Sequence, residues 1–192
     1  MTEYCLEPQT YESQVQALVA MLDDAHTARV KEIWSRLDVG CGLQAIYATP
    51  YPHFSFHIAE RYDLDQIDAD IKRIVGSIPP FKVRTTGMSV FTGPSPVVFV
   101  PVVASQELLS IHQLLWEQTT RSAERLSLLY SPGRWVPHIT LANKDVRGEN
   151  ISCVTEQLSE DAFDWEIEIN QFCLVCQEDG VAEIHTAYAL GA

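Results

Sequence analysis

"YPHFSFHIAE" (residues 51–60) sets His53, Ser55 and His57 at alternate positions, with Phe54, Phe56 and Ile58 in the other register. Strand side chains have a period of two, so an extended chain here would turn both imidazoles and the hydroxyl to one face and the apolar residues to the other. Any half-solvated strand shows the same alternation. A choice between a functional face and a merely wet one has to come from the rest of the chain.

It comes from "PHIT" at 137–140, which repeats the form of "PHFS" at 52–55: proline, histidine, an apolar residue, a hydroxyl residue, then another apolar residue. One H-x-S/T means little. Two copies, each preceded by proline and each in a strand-like run, in a chain with 6 histidines, point to a site built from two strands.

The surrounding pattern places those strands in a mixed fold. "VQALVAML" (15–22) reads as a buried strand, followed by a helix capped by Asp24 and ended by the glycines of "VGCG". "LQAIY" (43–47) and "HFSFHIA" (53–59) read as strands about a turn. Asp63 and Gln66 then open a helix whose buried face is Leu64, Ile67, Ile71, Ile74, Val75 and Ile78. "FKVRTTGMSVF" and "PVVFVPVV" are expected as two strands, with Pro101 marking an edge or bulge, and a long helix is expected from about Ser105 to Leu128. "WVPHITLAN" (135–143) is a strand, "NISCVTEQLSE" a short helix, and "FDWEIEINQFCLVCQ" with "VAEIHTAYAL" a closing hairpin. The expectation is an α+β fold in one domain spanning 1–192, with about 14 N-terminal residues as an extension. It would form two similar lobes, each a mainly antiparallel sheet backed by helices.

Composition narrows the function. The chain of 192 residues is 46% hydrophobic and 20% charged, with a net charge of −13, which argues against coating long nucleic acid. Charge is uneven: residues 1–71 sum to −8, 72–144 to +5 and 145–192 to −10, so the middle is a candidate anion site. No apolar run is long enough to span a bilayer, and "MTEYCLEPQTYESQ" has neither the basic start nor the apolar core of a signal peptide, so a cytoplasmic protein with no membrane partner is expected. Five cysteines in no framework spacing read as free thiols, which suits a reducing compartment. Cys173 and Cys176 of "CLVC" would face opposite sides of a strand, which disfavours a metal or redox pair. No H-E-x-x-H, nucleophile elbow or phosphate loop is present.

In "PHFSF", "PHITLA", their separation and the order of elements from about Val15, the chain resembles the two-histidine phosphoesterases, the 2',5'-RNA-ligase-like cyclic phosphodiesterases. The resemblance implies two pseudo-symmetric lobes about a central cleft. It implies His53 and His138 as the general acid/base pair and Ser55 and Thr140 as phosphate-binding hydroxyls. Ser55 stands where threonine is more usual and keeps the hydroxyl. His57 has Ala59 two positions on and no preceding proline, so it is a neighbour on the cleft wall or a structural histidine.

Imidazole can act as acid or base near neutral pH, and two in opposite protonation states suffice for phosphodiester cleavage with no metal and no cofactor. Arg134 and Lys144 flank the second strand and are candidates for neutralising phosphate. Tyr51, Phe91, Tyr130 and Trp135 either stack on a base or pack in the core. His26, His112 and His185 read as surface or structural, and Trp34, Trp116 and Trp165 as core. The implied partner is a small nucleotide or RNA end carrying a 2',3'-cyclic phosphate or a 2',5' linkage, hydrolysed or reversibly ligated. Cleavage of cyclic nucleotide signals, or a nucleotide-binding module without turnover, are the alternatives. No pattern points to an oligomeric state.

Overall fold

The computed structural model describes residues 15–178 and 180–191. The N-terminal extension and Cys5 lie outside them. The strands are β1 (Val15–Met21), β2 (His53–Tyr62), β3 (Phe81–Arg84), β4 (Ser89–Phe91), β5 (Val97–Pro101), β6 (Ala123–Leu126), β7 (His138–Ala142), β8 (Glu166–Ile169), β9 (Gln171–Glu178) and β10 (Val181–Ala189). The helices are α1 (Asp24–Cys41), α2 (Leu64–Val75), α3 (Gln106–Thr119) and α4 (Ile151–Leu158). Every strand pair among the described residues is antiparallel, in a five-stranded sheet β10-β9-β1-β2-β6, a three-stranded sheet β4-β5-β7 and the pair β3-β8. This is the expected α+β fold.

β1 lies inside its sheet and is apolar throughout its C-terminal half because both faces are covered. Leu18 and Ala20 join the main core, while Val19 and Met21 join a smaller cluster with Cys173 and Val175 on the other face. Phe54, Phe56 and Phe172 are fully buried in the main core, with the rings of Phe56 and Phe172 at 4.9 Å. Each such side chain contributes about 1.5–3 kcal/mol by leaving water.

Several local readings change in the fold. Asp23, not Asp24, caps α1: its backbone is extended and its carboxylate accepts from the N–H of His26 at 2.8 Å. α1 runs through Gly40 and stops where Gly42 adopts φ +69°, the left-handed turn that glycine adopts at least cost. "LQAIY" is not a strand. It holds a 3₁₀ turn, Ala45–Ala48, whose first N–H groups, on Gln44 and Ala45, are both taken at 2.7 Å by the carboxylate of Asp145. A partner about 100 residues away overrode the local β preference.

The long helix from Ser105 ends at Thr119, where the Thr119 hydroxyl turns to the Leu115 carbonyl. After a 3₁₀ turn the chain re-forms as β6, the strand paired with the end of β2. "FKVRTTGMSVF" splits at Thr85, whose side chain bonds Phe163 and Trp165, so that β3 pairs β8 while β4 pairs β5. "FDWEIEINQFCLVCQ" splits likewise into β8 and β9, in different sheets. β5 is a central strand rather than an edge, and Pro101 is its last residue, opposite His138. Cys41 and Cys153 are not free thiols: they form a disulfide between α1 and α4. The reading of a reducing compartment from the cysteines loses its support. Among the described residues no helix is long and apolar enough to cross a membrane.

Candidate active site

The two Pro-His strands share an irregularity that neither shows in sequence. In β2, Leu18 pairs His57 and Val19 pairs Ser55, so Phe56 is an extra residue. In β7, Phe99 pairs Thr140 and Val98 pairs Ala142, so Leu141 is the extra residue. Each bulge falls directly after the hydroxyl residue, and each reverses the alternation beyond it. Residues paired across antiparallel strands share a face, so His53 and Ser55 lie with Met21 and Val19, and Phe54 lies in the main core.

His57 is the casualty of the first bulge. Its pairing with Leu18 turns it into the core, where it is fully buried. Thr119 gives its hydroxyl proton to Leu115, so its oxygen accepts from His57 Nε2–H at 2.6 Å, and Nδ1 accepts from the Tyr62 hydroxyl at 2.6 Å. Both ring nitrogens are used in the neutral form, and burial pushes the pKa down to about 3. His57 is a structural histidine and not part of the cleft wall.

A cavity of about 250 Å³ gathers His53, Ser55, His138 and Thr140, together with Tyr51 and Tyr130. His53 Nδ1 donates to the Tyr51 carbonyl at 2.5 Å and His138 Nδ1 to the Val136 carbonyl at 2.7 Å. In each case the acceptor is two residues upstream. Nδ1–H donation fixes the neutral tautomer with Nε2 as the free basic nitrogen. Burial lowers both histidine pKa values, and the nearby His138 lowers that of His53 further. The pair resists double protonation.

Four further expected neighbours, Trp135, Arg134, Lys144 and Phe91, do not line this cavity. Trp135 is buried, stacks on His112 with ring centroids at 4.0 Å, and donates Nε1–H to the Ser55 carbonyl at 2.9 Å. It holds the backbone rather than facing the substrate space. Arg134 and Lys144 are at the surface and point to no lining position. Phe91 packs edge-on against His138, with centroids at 5.0 Å. His112 is buried and bonds the Tyr130 carbonyl, His26 bonds its neighbour Asp23, and His185 is exposed.

Other lining residues escape a reading of the sequence alone. Ile58 and Asn143 each stand five residues after a site histidine and reach the cavity because of the bulges. Thr49 arrives from the turn after the 3₁₀ segment. Trp34, read as core, is buried, lines the cavity and donates Nε1–H to the Thr140 carbonyl at 3.1 Å. Each hydroxyl residue thus has its own carbonyl held by an indole. The only signal for Asn143 was its place at the end of "PHITLAN". Among the described residues no group of three or more His, Cys, Asp or Glu is arranged to hold a metal ion.

Similarity to known proteins bears on the fold and the family. TT0787 of Thermus thermophilus superposes with a TM-score of 0.61 at 17% identity, covering 93% of this chain and 98% of its own. A second structure, described as a phosphoesterase, gives 0.56 at 16% identity over 94% of this chain and 100% of its own. At such identities the likeness is one of fold. No curated protein sequence matches the chain. The profile of the 2'-5' RNA ligase superfamily matches residues 22–181, from the end of β1 to the first residue of β10 and across both Pro-His strands, and on that match the chain belongs to this superfamily.

Proposed function

We propose that the protein is a metal-independent phosphodiesterase that opens a 2',3'-cyclic phosphate or a 2',5' linkage by two-histidine acid/base catalysis. The observation that carries this reading is the matched tethering of His53 and His138: each gives Nδ1–H to the carbonyl two residues upstream, leaving Nε2 for the substrate. The sheets bearing β2 and β7 would be the two lobes, with the cleft between them.

Phosphorus sits between the imidazoles, its non-bridging oxygens on the hydroxyls of Ser55 and Thr140. The neutral imidazole takes a proton from water as the water oxygen bonds to phosphorus. The protonated imidazole gives its proton to the departing ribose oxygen as that phosphorus–oxygen bond breaks. One proton enters the pair and one leaves, so the pair ends with its roles exchanged. With a 5'-hydroxyl in place of water as the attacking group, the same pair would open the cyclic phosphate into a 2',5' linkage, the ligation direction.

The test is turnover of a panel of 2',3'-cyclic nucleotides, 2',5'-dinucleotides and cyclic dinucleotides in excess EDTA, with products read by phosphorus NMR. We expect hydrolysis of the cyclic phosphate to one regioisomer, since fixed imidazoles impose one in-line path, and the resemblance to the two-histidine phosphoesterases implies that it is the 2'-phosphate. Exclusive cleavage of a cyclic dinucleotide would move the reading to cyclic signals. Activity restored only by added metal ion, or binding without turnover, would overturn it.

A further inference from the structure

We infer that the cleft is built for a substrate with a single phosphodiester charge, about the size of a mononucleoside cyclic phosphate, rather than for the end of an RNA strand. This deepens the phosphodiesterase reading and rests on it.

The whole cation inventory is visible, because all 13 lysines and arginines lie in the described residues. In sequence, residues 72–144 carry a surplus of +5 and resemble an anion site. In the fold that surplus is answered by carboxylates. Lys72 and Arg73 pair with Asp68 and Asp70, Lys82 and Arg84 with Glu166 and Asp164, and Arg125 with Glu60. Arg36 and Arg61 pair with Asp161 and Glu124. Arg29 lies over the Trp165 ring and bonds the Ala162 carbonyl, while Arg147 bonds the carbonyls of Lys144 and Val146. Among the described residues Lys31, Arg121, Arg134 and Lys144 remain without such a partner, on four different segments. A single strand of RNA is held by a groove of cations following its phosphates; these four stand on α1, the 3₁₀ turn after α3 and the loops before and after β7, and none of them lines the cavity.

The cavity points the same way. Its polar lining is the two imidazoles, the hydroxyl residues Ser55, Thr140, Thr49, Tyr51 and Tyr130, and the Asn143 amide, and none of its lining residues is Lys, Arg, Asp or Glu. The cationic charge available there is one imidazolium, since burial and mutual repulsion oppose a second. One imidazolium matches one phosphodiester. Each further phosphate brought to this mouth would be a desolvated charge without a partner, in the field of a chain of net charge −13. The volume of about 250 Å³ lies just below the usual range of ligand sites, about 300–1,000 Å³. Its two walls differ: five residues after His53 stands Ile58, in β2, and five after His138 stands Asn143, just past the end of β7, so one side is apolar there and the other bears an amide.

The experiment compares 2',3'-cyclic AMP with a ten-nucleotide RNA ending in the same cyclic phosphate, between 50 and 500 mM salt, by turnover and by equilibrium binding. We expect kcat/KM for cyclic AMP to exceed that for the RNA by about tenfold or more at low salt. Its dependence on log salt should be no steeper than about −0.7, the slope of one phosphate contact. RNA bound or cleaved tenfold better than cyclic AMP, with a slope steeper than about −2, would overturn the inference while leaving the hydrolase reading in place. Cyclic AMP bound in preference to RNA, but neither turned over, would overturn the hydrolase reading and leave the charge argument standing. Failure of both ligands to bind overturns the inference as well.

Discussion

Trp135 Nε1 donates to the carbonyl of Ser55 at 2.9 Å, which fastens the segment leading into the His138 strand to the strand that carries His53. Trp34 does the same for Thr140 from α1. Neither indole turns its N–H to the cavity, yet each sets the height of a hydroxyl that, in the proposed mechanism, meets a phosphoryl oxygen.

Trp135→Phe keeps the ring against His112 and Phe56 and removes the hydrogen bond. We expect a stability loss of about 1 kcal/mol and a fall in kcat of roughly tenfold with KM little changed. Trp34→Phe should behave alike. A drop in Tm with kcat untouched would make the indoles structural only.

His53→Ala and His138→Ala should each lower kcat by about 100- to 10,000-fold in a folded protein, and Ser55→Ala or Thr140→Ala by roughly 10- to 1000-fold. His57→Ala should do the reverse, costing about 2–3 kcal/mol of stability while the folded fraction keeps its turnover. Thermal melts and active-site-normalised kinetics on the five variants separate these outcomes. A dead but stable His57→Ala would mean that His57, and not the bulge, belongs to the chemistry.

The kcat/KM profile should be bell-shaped, with its maximum on the acid side of the ordinary imidazole value near about 6.5. Burial lowers the pKa of both His53 and His138. The group acting as acid therefore loses its proton at lower pH, and the alkaline limb moves down. A phosphodiester keeps its charge across this range, so the limbs belong to the enzyme. An alkaline limb above about pH 8 would contradict the assignment.

Acid should destabilise the fold through His57. Its folded pKa, about 3, is below the unfolded value of about 6.5, so its contribution is complete above pH 6.5 and is lost as pH falls towards 3. At pH 4 the loss is roughly 3 kcal/mol. Denaturant melts at pH 7 and pH 4 should show it in the wild type, and much less of it in His57→Ala.

Reduction should soften the molecule. The Cys41–Cys153 bridge closes a loop with a sequence separation of 112, worth up to about 4–5 kcal/mol by chain entropy. For a chain of this size that lowers Tm by roughly 10 °C or more. Dithiothreitol should have this effect on the wild type and none on Cys41→Ser with Cys153→Ser, and peptide mapping without reduction should recover the linked pair.

The sequence by itself determined what depends on neighbours in the chain: the α+β class, the cap and apolar face of α2, the strand character of both Pro-His segments, and His53, Ser55, His138 and Thr140 as the residues to watch. The class, the α2 cap and face and the strands rest on side-chain period and capping, which act over a few residues, and the four site residues rest on the repeated Pro-His pattern and the family resemblance it carries. Tertiary structure alone decided the rest. The alternation around His57 holds only in an unbroken ladder, and the extra residue at Phe56 exists only relative to β1. "LQAIY" became a turn because Asp145 reaches its N–H groups, and the helix after Ser105 stopped where β6 could pair with β2. The basic middle of the chain was neutralised by carboxylates from distant segments such as Glu166 and Asp164. Register, pairing and charge balance are properties of partners in space, and a linear pattern names the partners' types without saying which will meet.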